Sequence, residues 1–382
     1  MKIVWVTRSF LDYRIPVFKA LKVLNKGEFT LIFNESYVPY SVVEKVKREL
    51  KESCIGLKGE LTFGNKSTTN KWANKGLRIP FQPKLIKTIK SQKPDVIITD
   101  GFFQWTYAAL WMRFFYKTKH VMCYERTAHT ERNAQWYRIS YRKFVSRWID
   151  AICCTGDLCS KYVKSLGFKS NKVTTGHMVA DIDTFFTDKL EKANILNQHK
   201  DKNAILYLYV GRIVEAKGIN ELLLTWVAFE KGKNVALYLV GDGPEREKYQ
   251  DRLKELKLTN VFFIGRVSYD KVADYYQSAN VFIIPTLEDN WSLVIPEAMA
   301  SGLPILSSVY NGCYPEYITK NNGWVFDPLN YNDFLNKLNT SYFCENLNDM
   351  GNVSKTIISN YTPEKAALSI YNTIKLIKGK KQ

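Results

Sequence analysis

The sequence predicts an α/β chain of two doubly wound domains, each on a mainly parallel sheet. Three observations carry this reading. Short apolar runs alternate with segments of helical periodicity, the signature of βαβ units. The alternation stops at a polar, Lys/Asn/Asp-rich stretch over residues 186–203 and then restarts. The 382 residues, 46% hydrophobic and 24% charged, are enough for two cores at roughly 150 residues per domain. That composition excludes a disordered chain, a collagen-like repeat and a coiled coil.

Taken in order, the strands of the first half are expected at residues 3–7, 29–33, 96–99, 120–124, 151–154 and 172–175. Helices are expected at 15–24, 83–90, 105–116, 136–148 and 158–166, and the polar stretch 59–80 reads as a long surface loop. In the second half, runs at 204–210, 235–240, 261–264, 281–284 and 304–306 each precede a helical segment. Thr362 as N-cap and Pro363 at the first helical position open a last helix, which runs to about Lys378 and ends in a basic tail with Lys380 and Lys381. The expected domains are 1–185 and 200–360, with 362–382 a helix that packs back on the first. In open sheets of this kind ligands bind beyond the carboxyl ends of the strands, so two such domains would face each other across a cleft.

Seven scattered cysteines without a CxxC spacing, and four histidines, favour neither a disulfide framework nor a zinc site. Met1 and Lys2 run directly into the first strand, which leaves no room for a signal peptide. The longest apolar stretch, around 102–112, is broken by Gln104 and falls short of the ~20 residues that span a bilayer. A cytoplasmic protein in a reducing compartment is expected. The net charge of +18 is unevenly placed: residues 1–180 hold 32 basic against 13 acidic side chains, and the remainder 23 against 24. This asymmetry implies an anionic partner for the first half, whether a membrane surface, an acidic glycan or nucleic acid.

The second half carries the chemistry. Gly211 ends a strand where a ligand can approach the backbone, and Arg212 and Lys217 in GRIVEAKGI set two positive charges just beyond it, as a diphosphate demands. VGDGP (240–244) is a tight turn into a helix, and Gly265-Arg266 ends a further strand, with Ser268 able to cap the next helix. In PTLEDNWSLVIPEAMASG (285–302) a polar loop leads into a helix starting near Ser292–Leu293. Asp289 and Glu297 stand eight apart on either side of that start, and carboxylates beside an anion site suit hydroxyl groups, ribose on one side and a sugar on the other. Each segment alone has an ordinary reading as a βα loop or a dipole-stabilising acid.

Together, GRIVEAKG, LVGDGPEREKY, VFFIGRVS, ADYYQSANVFIIPT and EDNWSLVIPEAMASGLPIL, in this order and spacing, resemble the nucleotide-sugar domain of the family-four retaining glycosyltransferases, which have the GT-B fold. The resemblance implies that Arg212 and Lys217 hold the donor diphosphate and that Glu297 binds the ribose hydroxyls. It implies that Asp289, or Glu288 beside it, contacts the transferred sugar as the first acid of the E-x7-E pair. It further implies that the backbone at Trp291, Ser292, Leu293 and Val294 meets sugar and phosphates, and that Gly265, Arg266 and Val267 form the base-contacting turn. Asn311-Gly312 continues the pattern as structure. Similar enzymes place a histidine near the reacting sugar where His129 stands in YERTAHTERNAQW, with Glu125 and Glu131 as orienting groups. The family's Gly-rich loop after the first strand is replaced here by RSFLD, leaving Arg8 or Arg14 to contact phosphate from that side.

The expected activity is transfer of a hexose-type unit from a nucleotide diphosphate sugar, UDP-linked in preference to GDP-linked, to a hydroxyl of a glycan or lipid-linked acceptor. Neither a metal nor another cofactor is expected, because two cationic side chains serve the diphosphate and no carboxylate-rich metal motif accompanies them. Residues 105–148 mix many aromatics with Arg and Lys, which points to a peripheral site on the inner face of an anionic membrane; no groove-reading or stacking motif points to nucleic acid. The alternatives are an epimerase or phosphorylase on the same fold, and a non-catalytic glycan- or membrane-binding relative.

Overall fold

The structure, a computed structural model, describes residues 1–64, 78–186 and 204–378. Two compact units form: Met1–Asp181 together with Tyr361–Gln382 (unit 1), and Ile182–Asn360 (unit 2).

The strands of unit 1 are β1 (Ile3–Thr7), β2 (Phe29–Asn34), β3 (Cys54–Leu57), β4 (Leu61–Phe63), β5 (Ile79–Phe81), β6 (Val96–Asp100), β7 (Lys119–Tyr124), β8 (Ala151–Cys154) and β9 (Val173–Thr175). Seven of them make a parallel sheet in the order β3-β2-β1-β6-β7-β8-β9; β4 and β5 pair antiparallel apart from it. Both faces of the sheet are covered, which is why its strands read as continuous apolar runs. On one face Val4 and Val6 pack with Ile32 and Ile97; on the other, Ile3 and Trp5 pack with Leu31, Phe33 and Ile98. The covering helices are α1 (Arg14–Leu24), α2 (Tyr40–Leu50), α3 (Leu85–Gln92), α4 (Thr106–Tyr116), α5 (Trp136–Val145) and α6 (Asp157–Ser165).

Unit 2 repeats the plan. Its helices are α7 (Ile219–Phe229), α8 (Arg246–Glu255), α9 (Tyr269–Ser278), α10 (Val294–Ala300), α11 (Tyr314–Tyr317), α12 (Tyr331–Tyr342) and α13 (Leu347–Ile358). Its strands β10 (Ile205–Val210), β11 (Val235–Val240), β12 (Val261–Gly265), β13 (Val281–Ile284), β14 (Ile305–Ser308) and β15 (Gly323–Phe326) lie in the order β12-β11-β10-β13-β14-β15, all parallel. In each unit the chain winds outward from its first strand and then returns to that strand's other side. The loops leaving β1 and β6, and those leaving β10 and β13, therefore diverge and open a crevice at the switch point.

The last helix, α14 (Pro363–Lys378), belongs to unit 1. Thr362 Oγ1 accepts from the Lys365 N–H (3.3 Å), and Ala366, Ala367, Ile370 and Ile374 enter the core built on Ile15 and Phe18. With this helix unit 1 carries 37 basic and 15 acidic side chains, +22, and unit 2 carries 18 and 22, −4.

Some elements differ from the sequence reading. The stretch 59–80 is not all loop, since β4 and β5 pair antiparallel at its two ends; residues 65–77 between them lie outside the described residues. Three residues each, with five of the six side chains exposed, they bury too little to leave a periodic signal. β3 is a half-buried edge strand interrupted by Gly56, and it too escaped periodicity. The segment 136–148 is helical only to Val145 and finishes as a 3-10 turn, Ser146–Trp148. Ser268 stands at the N-cap of α9 without a side-chain bond there. Most of the 186–203 stretch, and tail residues Lys380 and Lys381, lie outside the described residues.

Candidate active site

In unit 2 the switch point is built from three loops. The first leaves β10: Gly211, Arg212 and a 3-10 turn at Glu215–Lys217, closed by Gly218. Gly218 has φ +68°, and a Cβ there would sit 1.9 Å from the Pro285 carbonyl oxygen, so only glycine brings this loop against the end of β13. The Ala216 carbonyl accepts from the Leu287 N–H (2.9 Å), the Glu288 N–H (3.2 Å) and Thr286 Oγ1 (3.0 Å), which stitches the two loops together. The third loop, after β11, presses Gly241 onto Gly211; a Cβ there would lie 1.8 Å from the Gly211 oxygen.

This stitching brings Lys217 and Asp289, 72 positions apart, into a hydrogen-bonded ion pair. Asp289 is held from behind: its Oδ1 accepts from the Trp291 N–H (3.2 Å), its carbonyl from the Gly312 N–H (3.0 Å), and its own N–H donates to Tyr310 O (3.3 Å). Asn311-Gly312 thus sets the acidic loop. Of the two neighbouring acids, Asp289 is the one paired with Lys217. Arg212 is exposed and has no acidic partner among the described residues.

Glu297, in the first turn of α10, is 8% exposed, and its Oε2 accepts from the Tyr276 hydroxyl at 2.9 Å. Burial, and then the Glu297 charge, hold that hydroxyl well above its ordinary pKa, so it remains a donor. Trp291 and Ser292 are buried, with Leu293 and Val294 half-buried beside them. At the end of β12, Gly265 lies under the Arg246 guanidinium, while Arg266 is exposed and Val267 half-buried. Arg246 and Tyr276 were not legible as site residues, because a basic helix start and a helical tyrosine are ordinary features.

In unit 1 the switch point is a cavity of about 460 Å³. Phe10, Tyr13, Tyr37, Phe102, Phe103 and Tyr124 supply aromatic walls, and Arg14, Arg126, Arg138 and Arg142 the cationic ones. Arg14 and Arg8, the sequence's candidates for phosphate, are both engaged inside the unit. Arg14 pairs with Asp100 (3.2 Å) and lies over Trp5, whose indole N–H donates to the same carboxylate (3.2 Å); Arg8 chelates the buried Glu60.

His177 also lines this cavity. Burial first and Arg14 second lower its pKa to about 3, so the ring is neutral. With Nδ1 accepting from Arg14 (3.3 Å), Nε2 carries the proton and donates to the Tyr124 carbonyl (3.0 Å). Buried His120 is likewise held at about 3, by burial and then Arg113. Both groups bind a proton in the unfolded chain below pH ~6.5 but not in the native one until about 3. Their stabilisation is complete above pH ~6.5 and is lost as pH falls towards 3, by about 2 kcal/mol each at pH 5. Melting temperature should therefore drop between pH 7 and 5, and His120→Gln should flatten that drop.

His129 stands on the turn after β7, half-exposed and outside the lining of the cavity. Thr127 and Thr130 exchange N–H···Oγ1 bonds (3.0 and 3.3 Å) across the turn, and the Glu131 N–H donates to Thr127 O (3.1 Å). The Glu131 side chain, 1% exposed, bonds Arg142 and pairs with Arg126 at 3.0 Å. It therefore anchors the turn through two guanidiniums. Glu125 lines the cavity and is exposed.

Among known families, the one described as Glycosyl transferases group 1 matches residues 191–352, and Glycosyltransferase Family 4 matches residues 65–183. The chain belongs to the family-four glycosyltransferases. Sulfoquinovosyl transferase SQD2 of Arabidopsis thaliana is 25% identical over 69% of this family-four chain and 53% of its own length. The capsular polysaccharide biosynthesis glycosyltransferase CapM of Staphylococcus aureus is 30% identical over 50% of this chain and 51% of its own. The chain thus spans about half the length of the curated relatives it matches. The crystal structure of Anabaena HepE in complex with UDP superposes with a TM-score of 0.77 over 98% of this chain and 100% of that one, at 14% identity, and shares the GT-B fold.

Proposed function

We propose that this chain is a retaining glycosyltransferase acting in surface polysaccharide or glycolipid assembly. It moves a sugar from a nucleotide diphosphate sugar, UDP-linked in preference to GDP-linked, to a hydroxyl of a glycan or lipid-linked acceptor. One observation carries the reading: at the unit 2 switch point an ammonium, Lys217, pairs with the acid Asp289, and the same loop carries an exposed guanidinium, Arg212. Diphosphate charge is met by the two cations, and stabilising that charge as the sugar–phosphate bond breaks is the main catalytic contribution such a site offers. Asp289 and Glu297 take hydroxyls of the sugar and the ribose, and the turn at Gly265, Arg266 and Val267 takes the base. UDP in the HepE structure supports the donor class, and the capsular polysaccharide biosynthesis named for CapM supports the pathway class.

The acceptor belongs to unit 1. Aromatic faces beside guanidiniums, as in its cavity, suit sugar rings and anionic substituents. The +22 charge of that unit supports work at an anionic membrane surface.

The test is thermal shift and transfer with a panel of UDP- and GDP-sugars, wild type against Arg212→Ala, with membranes supplying acceptor. Arg212 is exposed, so the variant should fold and melt as wild type does. A donor-dependent shift and transfer in wild type, both weakened in the variant, are expected, and EDTA should leave transfer unchanged. Absence of a shift with every nucleotide would sink the reading in favour of a non-catalytic relative.

A further inference from the structure

Helix α5 and the loop that leads into α4 wall the unit 1 cavity, with Arg138 and Arg142 on α5 and Phe102 and Phe103 just before α4. The outward residues of α4 and α5 are aromatic. On α4, Trp111, Phe114 and Phe115 stand at i, i+3 and i+4, 46%, 57% and 64% exposed. Trp111 packs on Phe115 with ring centroids 4.3 Å apart. Phe114 meets Trp148 at 5.6 Å, and Trp148 meets the exposed Phe144 of α5 at 4.3 Å, so one aromatic seam joins the two helices.

A soluble surface rarely leaves four large aromatics side by side in solvent without a partner. The charge around them says which. Lys117 and Lys119 follow α4, Lys143 and Arg147 flank Phe144, and all four are exposed. Between residues 105 and 148 there are nine basic side chains and two acidic ones, and one of those two, Glu131, is buried in ion pairs. The Asp150 carboxylate, just beyond Trp148 in the chain, pairs with Arg113. A second copy of this chain would bring basic rim against basic rim, which repels. An anionic bilayer meets both features: aromatics settle at the headgroup boundary, and lysines and arginines gain from the negative surface potential. Among the described residues no helix is long and apolar enough to cross a membrane, so the contact is interfacial.

We infer that the outer face of α4 and the end of α5 is the membrane-docking surface of this protein, resting on an anionic bilayer through Trp111, Phe114, Phe115 and Phe144 with a rim of Lys117, Lys119, Lys143 and Arg147. This rests on, and gives a location to, the lipid-linked acceptor of the proposed function. Of the elements that would touch the bilayer, α5 and the loop leading into α4 also wall the acceptor cavity, so a headgroup-borne sugar would reach it over a short path.

The test is co-sedimentation with phosphatidylcholine vesicles with and without a one-third share of phosphatidylglycerol. Wild type, Trp111→Ser/Phe114→Ser/Phe115→Ser and Lys143→Glu/Arg147→Glu are compared. All the replaced side chains are exposed, and melting temperature on the same samples checks folding. Wild type should bind the anionic vesicles, release in high salt, and ignore the neutral ones; each variant should bind about tenfold or more weakly. Equal binding by wild type and the triple variant, or equal binding to both vesicle types, overturns the inference. So does a wild-type dimer that the triple variant dissociates, since the face would then belong to a second copy. A UDP thermal shift on the same samples separates the two readings: a shift without vesicle binding removes the docking face alone, and vesicle binding without a shift removes the transferase reading alone.

Discussion

Lys217→Ala is expected to lower transfer by about two to three orders of magnitude, the usual loss when one preorganised partner of a developing oxyanion is removed. The loss should fall on kcat, with donor KM rising, because the ammonium serves the diphosphate before and during bond breaking. Stability should change little: Lys217 and Asp289 are 21% and 16% exposed, and solvent screens the pair that is lost. Asp289→Asn gives the contrasting outcome. It releases Lys217 from its partner, so UDP binding should hold or tighten while transfer falls. Steady-state kinetics with a radiolabelled donor, set beside UDP calorimetry, read both. Loss of UDP binding in Asp289→Asn, or full transfer in Lys217→Ala, would show that the pair is only structural.

The second large effect concerns unit 1. In Glu131→Ala the Arg142 guanidinium, 2% exposed, is left with Tyr162 Oη at 3.0 Å as its remaining bonded partner among the described residues. Stranding a buried charge in this way costs about 3–5 kcal/mol, a fall in melting temperature on the order of 10 °C. The same substitution frees the turn that carries His129, so activity should fall beyond what unfolding explains. Glu131→Gln/Arg142→Met removes both charges and should recover much of the stability, because the penalty lies in the unpaired ion and not in the lost contact. Scanning calorimetry of the single and double variants decides this. An unchanged melting temperature in Glu131→Ala would mean that the Tyr162 hydroxyl and water satisfy the Arg142 guanidinium.

Much of the site was legible because its residue types are exacting. Gly218 and Gly241 tolerate no side chain, and a loop that must approach another backbone cannot be written in other residues. Tyr276 under Glu297 and Arg246 over Gly265 were illegible, because tyrosine and arginine occur on helices everywhere and only a partner about 20 positions away gives them a role. The aromatic segment 105–148 shows the limit from the other side: Trp105 is fully buried and Trp111 is 46% exposed, yet the sequence presents them alike.

What the chain dictates locally, the sequence determined: the apolar runs that become buried strands, the Thr362-Pro363 start of α14, the glycine turns and the placing of positive charge in the first 180 residues. These depend on contacts a few residues apart and on the pattern of burial. The tertiary structure alone decided the strand order, the return of α14 to the unit that begins the chain, the choice of Asp289 as the partner of Lys217, and which aromatics face outward. Each of those joins positions tens to hundreds of residues apart, and such contacts exist only once parallel strands have been brought side by side.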